Sequence, residues 1–173
     1  LDADSLQNVV GTPDEQRAVV YDGECVGLAT AYRARQRFEE LITARLSKAS
    51  VEVPEVLDSA VDFASERSDF PLSDEQVDAL RRAMAQPTTV ISGGPGTGKT
   101  SIVVSLLRAL VHTGLQPEDI ALAAPTGKAA NRMWESIREE LSSQGEPAAV
   151  DESLVERMAA PMTLHRLLSY SPY

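Results

Sequence analysis

One short segment constrains the fold of this chain more than any other: the eight residues from Gly93 to Thr100, Gly-Gly-Pro-Gly-Thr-Gly-Lys-Thr. They fit the P-loop pattern G-x-x-x-x-G-K-[S/T], in which glycines let backbone N–H groups turn toward phosphate oxygens. In such a loop the lysine, here Lys99, reaches the outer phosphates of a nucleotide and the Thr100 hydroxyl binds Mg²⁺. We predict a nucleotide and Mg²⁺ site, with Lys99 and Thr100 as catalytic residues. Its binding residues are Gly93, Gly94, Pro95, Gly96, Thr97, Gly98, Lys99, Thr100 and Ser101.

The flanking sequence predicts the strand and the helix that a P-loop connects. Thr88–Ser92 is short and β-branched, as a buried strand should be. Ile102–Leu110 is apolar and helix-compatible, and Gly114 suits its C-terminal cap. Ile120–Ala124 predicts a second buried strand, and a helix follows from Thr126. We therefore predict an α/β P-loop NTPase with a parallel sheet core over residues 71–173. That core is incomplete, because only two strands are recognisable.

Residues 1–70 predict a small, mostly helical N-terminal domain with a β-hairpin. Asp22-Gly23 favours a type I′ turn between Ala18–Tyr21 and Glu24–Leu28. Apolar residues at helical spacing then predict a helix over residues 31–47, and a second apolar set predicts another helix that ends near Ser68. The arginines of the first helix favour a solvated face over a partner contact; they are Arg33, Arg35 and Arg37.

Charge and cysteine content narrow the class of protein. The net charge of −10 argues against a general nucleic-acid-binding surface. Acidic residues are nevertheless absent between Asp78 and Glu118, from Ile120 to Trp134 and from Arg157 onward, so locally neutral or basic segments lie in an acidic chain. The single cysteine, Cys25, excludes an internal disulfide framework and is typical of a reducing compartment. We expect Cys25 to be buried. We also expect a cytoplasmic protein without membrane contact, since no apolar run is long enough to span a bilayer.

Gln76 has two interpretations. Ser73 to Gln76 has the spacing of a capping box, in which Gln76 helps to cap a helix. A carboxamide can also donate and accept at once, and so match N6 and N7 of adenine. Sequence cannot separate the two, and one glutamine can serve both.

Three features after the second strand leave alternatives open. Asp151-Glu152 superficially resembles the end of a Walker B strand, whose carboxylates hold Mg²⁺ and orient water. The preceding Pro-Ala-Ala-Val is too short and alanine-rich for a central strand, which favours a polar loop or a helix start.

Residues 142–161 are polar and predict a mobile insertion. Trp134 is expected to pack beside its helix, with base stacking as the alternative.

Three segments in order carry a family resemblance: Gly93–Thr100, Ala124–Ala130 and Thr163–Leu168. Together they resemble the alpha subunit of bacterial exodeoxyribonuclease V, the RecD-type DNA helicase of superfamily one. The resemblance is specific from about Leu72 to Leu168 and weaker over residues 18–46. It implies a RecA-like ATPase domain that moves along single-stranded DNA and unwinds duplex ends in double-strand break repair. It also implies ATP and Mg²⁺ as cofactors, and RecB-like and RecC-like partner chains in a heterotrimer.

The resemblance assigns roles position by position. Gln76 matches the adenine-reading motif and Gly93–Thr100 the P-loop motif of the family. Ala124–Ala130 matches the motif that borders the single-stranded DNA path, and Thr163, His165 and Arg166 match the next helix beside the strand. The predicted DNA-binding residues are Thr126, Lys128, Arg132 and His165; Arg132 is included because it lies four residues after Lys128 and can share its helix face.

The chain departs from the family pattern at Tyr173, before the Walker B strand and the second RecA-like domain with its arginine finger. We expect it to be the N-terminal part of a longer helicase subunit, with almost no ATP turnover on its own. Two other classes are a nucleotide-binding regulatory or scaffold module that does not hydrolyse, and a P-loop small-molecule kinase. A kinase would need an arginine-bearing lid and an acceptor pocket, and the sequence indicates neither.

Overall fold

The computed structural model describes residues 9–12, 15, 17–21, 23–47, 56–68, 70–142 and 148–169. The chain divides into two compact units, and the division falls between Ala49 and Ser50. This differs from the predicted domain boundary at residue 70, because the helix at 56–66 packs on the P-loop helix of the second unit. Among the described residues, no helix is long and apolar enough to cross a membrane.

The N-terminal unit contains three short strands and one long helix. The strands are β1 (Val10–Gly11), β2 (Val19–Tyr21) and β3 (Val26–Leu28), and the helix is α1 (Ala29–Leu46). The predicted hairpin is confirmed, since β2 and β3 pair antiparallel with Tyr21 opposite Val26. Pairing of the second strand begins at Val26 and not at the predicted Glu24, and Asp22 of the predicted turn lies outside the described residues. The sequence did not predict β1, which pairs parallel with β2.

The helix predicted at 31–47 is confirmed as α1, but its apolar stripe is exposed. Phe38 is 63% exposed and Leu41 50%, and Ala29 is the buried residue of the helix. The solvated arginine face is observed, with Arg35 and Arg37 in exposed ion pairs. The expectation of a buried Cys25 is wrong, because it precedes β3, whose residues are all exposed.

The C-terminal unit is rich in helices and contains one small parallel sheet. Its helices are α2 (Val56–Glu66), α3 (Asp74–Ala85), α4 (Lys99–His112), a 3₁₀-helix (Pro117–Asp119), α5 (Gly127–Ser142), α6 (Ala149–Arg157) and α7 (Leu164–Leu167). Its strands are β4 (Ala123–Ala124) and β5 (Met162–Thr163), which pair parallel. The α/β class is therefore observed.

The P-loop helix α4 lies at the centre of this unit. On one side, Val104 and Leu107 belong to an apolar cluster with residues of α5 and α6. On another side, Ala109 packs against buried residues of α2 and α3. The C-terminal end of α4 is closed as predicted by Gly114, whose φ of 97° lies in the left-handed region. Burial on two sides holds the helix, and with it the loop at its N-terminus.

The predicted strands are shorter than expected. Thr88–Ser92 forms no strand, and Val90 is 79% exposed, so the prediction of a buried strand there is wrong. Of the second predicted strand, Ile120–Ala124, only Ala123 and Ala124 pair in a sheet. The physical reason is that a β-branched segment becomes a strand only through hydrogen bonds to a neighbour. No described residue pairs with residues 88–92.

The prediction of a mobile insertion at 142–161 is wrong for its described part. Ala149–Arg157 forms α6, and residues 143–147 lie outside the described residues. Asp151 lies on this helix, so the Walker B interpretation is wrong and a helix start is confirmed. Its carboxylate accepts two hydrogen bonds from the Arg108 guanidinium of α4, at 2.7 and 3.1 Å. Arg108 also donates to the backbone carbonyl of Arg67, just after α2.

We predict that removing one partner of this buried ion pair destabilises the protein more than removing both. Arg108 and Asp151 side chains are 1% and 5% exposed, so Arg108→Ala strands a buried carboxylate. We expect it to lower the free energy of unfolding by about 3–5 kcal/mol, measured by denaturant titration. The double variant Arg108→Met/Asp151→Leu should recover most of that loss, because it removes both charges. Equal losses in the single and double variants would contradict this account.

The chain offers a matched control for that experiment. Arg157 makes the same two-point contact with Glu118, at 2.7 and 3.0 Å, but both side chains are about half exposed. Arg157→Ala should therefore cost much less than Arg108→Ala. The hydrogen bond from Arg157 lowers the pKa of Glu118 below its usual 4.5. The small contribution of this pair is present above that pH and should disappear as the pH falls through the lowered pKa.

Candidate nucleotide site

The N-terminus of α4 is shaped by Gly98. This residue caps the helix with a φ of 72°, in the left-handed region that favours glycine. A Cβ built on Gly98 would lie 2.5 Å from Nε2 of Gln76, so any side chain there would displace Gln76. The left-handed backbone favours glycine at this position, and a Cβ there would also push away the end of the flexible Gln76 side chain.

The Lys99 side chain folds back over the loop. Its Nζ donates hydrogen bonds to the carbonyl oxygens of Gly93, at 2.7 Å, and of Gly94. Thr97 Oγ1 also donates to the Gly94 carbonyl, at 2.9 Å. The ammonium group is exposed and lies where the loop turns, so it can exchange these carbonyls for phosphate oxygens by a change of rotamer.

Gln76 connects α3 to the P-loop. The side-chain Oε1 of Gln76 accepts from the Ser73 backbone N–H at 2.8 Å, and the backbone N–H of Gln76 donates to Ser73 Oγ at 3.3 Å. These two bonds form the capping box that the sequence predicted. In addition, Gln76 Nε2 donates to the Thr97 carbonyl at 3.3 Å. The adenine interpretation of Gln76 stays a prediction.

A cavity of about 730 Å³ opens between α3, the P-loop and α5. Gln76 and the loop residues Gly96, Thr97 and Gly98 line it, with Thr100 and Ser101 of the first turn of α4. The cavity is also lined by residues that belong to no sequence motif and were not predicted; among them are Phe70, Leu72, Ser136, Glu139 and Glu140. The volume is of the size that holds a nucleotide or similar ligand.

A second cavity, of about 300 Å³, joins the P-loop to α5. Lys99 and Thr100 line it on one side and Arg132 on the other. Thr100 therefore borders both cavities. The residues present fit an Mg²⁺-nucleotide: N–H groups at the start of α4, a lysine, a threonine hydroxyl and a glycine-rich loop whose carbonyls Lys99 must release. Among the described residues, no group of three or more His, Cys, Asp or Glu side chains forms a metal site by itself.

The residues proposed by resemblance for DNA contact cluster at one edge of the small sheet. In the β4–β5 pair, Ala124 lies opposite Thr163. Because parallel strands end at the same edge, Thr126 and Lys128 follow β4 there, and His165 and Arg166 follow β5 there. All four are exposed. Arg132 lies one turn beyond Lys128 on α5 and is also exposed.

Local roles of these residues differ. Thr126 Oγ1 accepts from the Ala129 N–H at 3.2 Å, and Thr163 Oγ1 accepts from the Arg166 N–H at 3.2 Å, so both threonines cap helices. Lys128 makes no ion pair with any described carboxylate. Trp134 packs against the apolar cluster beside α4, as expected, and a base-stacking role for it stays a prediction.

Comparisons with known proteins agree with this geometry. The profile of a family described as an AAA domain matches residues 76–173, which contain the P-loop and the β4–β5 edge. The RecBCD enzyme subunit RecD of Mycobacterium tuberculosis is 44% identical over 108 residues, covering 60% of this chain and 18% of the relative. The same subunit of Haemophilus influenzae is 39% identical over 109 residues, or 60% of this chain and 17% of the relative.

A further similar protein is the ATP-dependent RecD2 DNA helicase of Deinococcus radiodurans, 34% identical over 101 residues. That match covers 58% of this chain and 11% of the relative. The chain thus spans less than a fifth of the length of these relatives. The resemblance to RecD-type helicases is confirmed.

We predict that two substitutions of Gln76 distinguish the stability supplied by its helix cap from that supplied by its contact with Thr97. Gln76→Ala removes both and should lower the free energy of unfolding by about 1 kcal/mol. Gln76→Glu keeps an oxygen for the Ser73 N–H and loses only the donor to Thr97, so its stability should stay close to parental. Denaturant titration of the two variants measures this. A larger loss in Gln76→Glu than in Gln76→Ala would contradict the capping role.

Proposed function

We propose, from the premise that this chain belongs to the AAA domain family, that it carries the ATP site and part of the DNA path of a helicase subunit. The proposed activity is ATP-driven movement along single-stranded DNA during double-strand break repair, within a RecA-like domain. The proposed partners are DNA ends and, in a heterotrimer, RecB-like and RecC-like chains. The observation that carries the proposal is the P-loop at the N-terminus of a helix buried on two sides, next to a nucleotide-sized cavity.

The phosphate end of the site rests on Lys99 and Thr100. Lys99 Nζ, now on the Gly93 and Gly94 carbonyls, would move to the outer phosphate oxygens. Gly96, Thr97, Gly98, Thr100 and Ser101 line the larger cavity, and their backbone N–H groups would hold the remaining oxygens. Mg²⁺, when bound at Thr100, supplies charge that neutralises the phosphates.

Gln76 is proposed to read the adenine edge from the opposite wall of this cavity. Its Nε2 contact with Thr97 is long, at 3.3 Å, and one carboxamide N–H remains for a ligand. Reading a base would therefore leave the capping bond from Ser73 to Oε1 in place.

DNA contact is proposed at the edge where β4 and β5 end. Thr126, Lys128 and His165 come from different segments, and the parallel register brings these segments together. Arg132 extends the cationic surface by one helical turn. A lysine and two arginines within acid-free segments suit a phosphate backbone better than base readout.

A second candidate is a nucleotide-binding module that does not hydrolyse. It is favoured by one observation: Asp151, the acid nearest to a Walker B pattern, lies on α6 and is bound there by Arg108 of α4. Steady-state ATP turnover of the full-length protein on single-stranded DNA decides between the two candidates.

We predict that Lys99→Ala in the full-length protein abolishes ATP-driven unwinding, because the phosphate charge loses its partner. A fluorescent duplex-unwinding assay measures the rate. Arg82→Ala, which removes an exposed cation from α3, serves as the control and should unwind at the parental rate. Parental unwinding by Lys99→Ala would overturn the proposed function.

We predict that Lys128→Ala weakens single-stranded DNA binding across sequences. Each lost phosphate contact should reduce the slope of log affinity against log salt by about 0.7. The control is Arg138→Ala, which removes an exposed cation farther along α5, beside Trp134. If the salt slope of Lys128→Ala equals that of the parental protein, Lys128 is an ordinary surface lysine.

A further inference from the structure

The wall of the nucleotide cavity that faces the P-loop carries an exposed aromatic ring. Phe70 lines the cavity together with Gln76 and the loop residues Gly96 to Gly98. Its side chain is 80% exposed, the highest value among the large apolar residues of the described chain. Single exposed apolar residues are common and by themselves indicate nothing. Phe70 differs because it borders a cavity that also holds a phosphate loop.

The local sequence places Phe70 just before the start of α3. Pro71 follows Phe70 and restricts its backbone to extended conformations, so the chain cannot continue as helix at that point. Ser73 then caps α3, and Gln76 lies in the first turn. The aromatic ring and the carboxamide are thus held on either side of one cap, three residues before it and three after it. The capping bonds between Ser73 and Gln76 hold the carboxamide at the start of α3.

The two ends of the cavity have different chemistry. The end at Gly96–Ser101 offers backbone N–H groups and hydroxyls, which suit phosphates. The end at Phe70–Gln76 offers an aromatic face, apolar side chains of Pro71 and Leu72, and a carboxamide. Ligand sites that hold flat heterocycles combine apolar and aromatic walls with a few polar groups in this way.

We propose that Phe70 is the base-stacking residue of the nucleotide site, with a purine nucleoside triphosphate as the ligand. This inference rests on the proposed ATP site. The ring would cover one face of the base, while Gln76 reads its edge and Lys99 holds the outer phosphates. Because every base has a π-face, stacking on Phe70 strengthens binding of ATP and GTP alike, and Gln76 alone distinguishes them. Nucleotide binding would also cover a ring that is otherwise in water.

The test measures equilibrium binding of ATP, GTP and inorganic tripolyphosphate to the full-length protein by calorimetry. Phe70→Ala should weaken ATP and GTP by about tenfold and leave tripolyphosphate unchanged, since that probe has no base. Phe38→Ala, the same substitution at an exposed phenylalanine of the other unit, should change none of them. Lys99→Ala should weaken all three.

Phe70→Trp keeps a stacking ring and adds a second tryptophan to Trp134. It should retain parental ATP affinity and show fluorescence quenching by ATP that tripolyphosphate does not cause. If Phe70→Ala folds poorly, Phe70→Trp still tests whether the ring at position 70 stacks on the base.

Each remaining outcome has one meaning. Equal weakening of all three ligands by Phe70→Ala would overturn the proposal, because Phe70 would then act on the loop. Unchanged ATP affinity in Phe70→Ala, with loss in Lys99→Ala, would overturn base stacking and leave the ATP site standing. Failure of the parental protein to bind ATP would overturn the proposed function itself.

Discussion

The structure depends on α4 being buried along its length while its first turn stays open. Val104 and Leu107 bury one side and Ala109 another, so two groups of helices meet on a single element. Arg108 adds directional hydrogen bonds to this apolar packing, since its guanidinium joins α4 to α6 and to the end of α2. A helix held in this way cannot move without disturbing both apolar clusters. The P-loop at its N-terminus therefore has a fixed base, which a phosphate site needs because its N–H groups must converge on one point.

Local rules predicted the parts of the structure that depend on neighbouring residues. The Ser73–Gln76 capping box, the left-handed Gly114 and the start of α4 after the P-loop each follow from a few adjacent residues. Prediction was poorer where a partner lies far along the chain. Thr88–Ser92 has the composition of a strand but no described strand to pair with. Ala149–Arg157 looked like part of a mobile insertion because its main anchor, Arg108, lies 43 residues earlier.

The candidate site shows the same division. The phosphate end could be predicted from sequence, because a P-loop is a contiguous motif whose function rests on its own backbone. The opposite wall of the cavity could not, since Phe70 carries no motif and is linked to Gly96–Gly98 only by the cavity that these residues line together. Gln76 lies between these cases. Its cap is local, whereas its contact with Thr97 crosses 21 residues and needs Gly98 to have no side chain.

The parallel register of Ala123–Ala124 with Met162–Thr163 has a consequence for how such chains can vary in length. The two segments that follow these strands start from the same edge, whatever the number of residues in the crossover through α5 and α6. The separation between the start of α5 and the start of α7 is thus set by strand pairing and not by the crossover. Insertions or deletions within the crossover can change the outer surface of the unit while that edge stays the same. Length variation in the crossover and an unchanged β4–β5 edge are therefore compatible within one architecture.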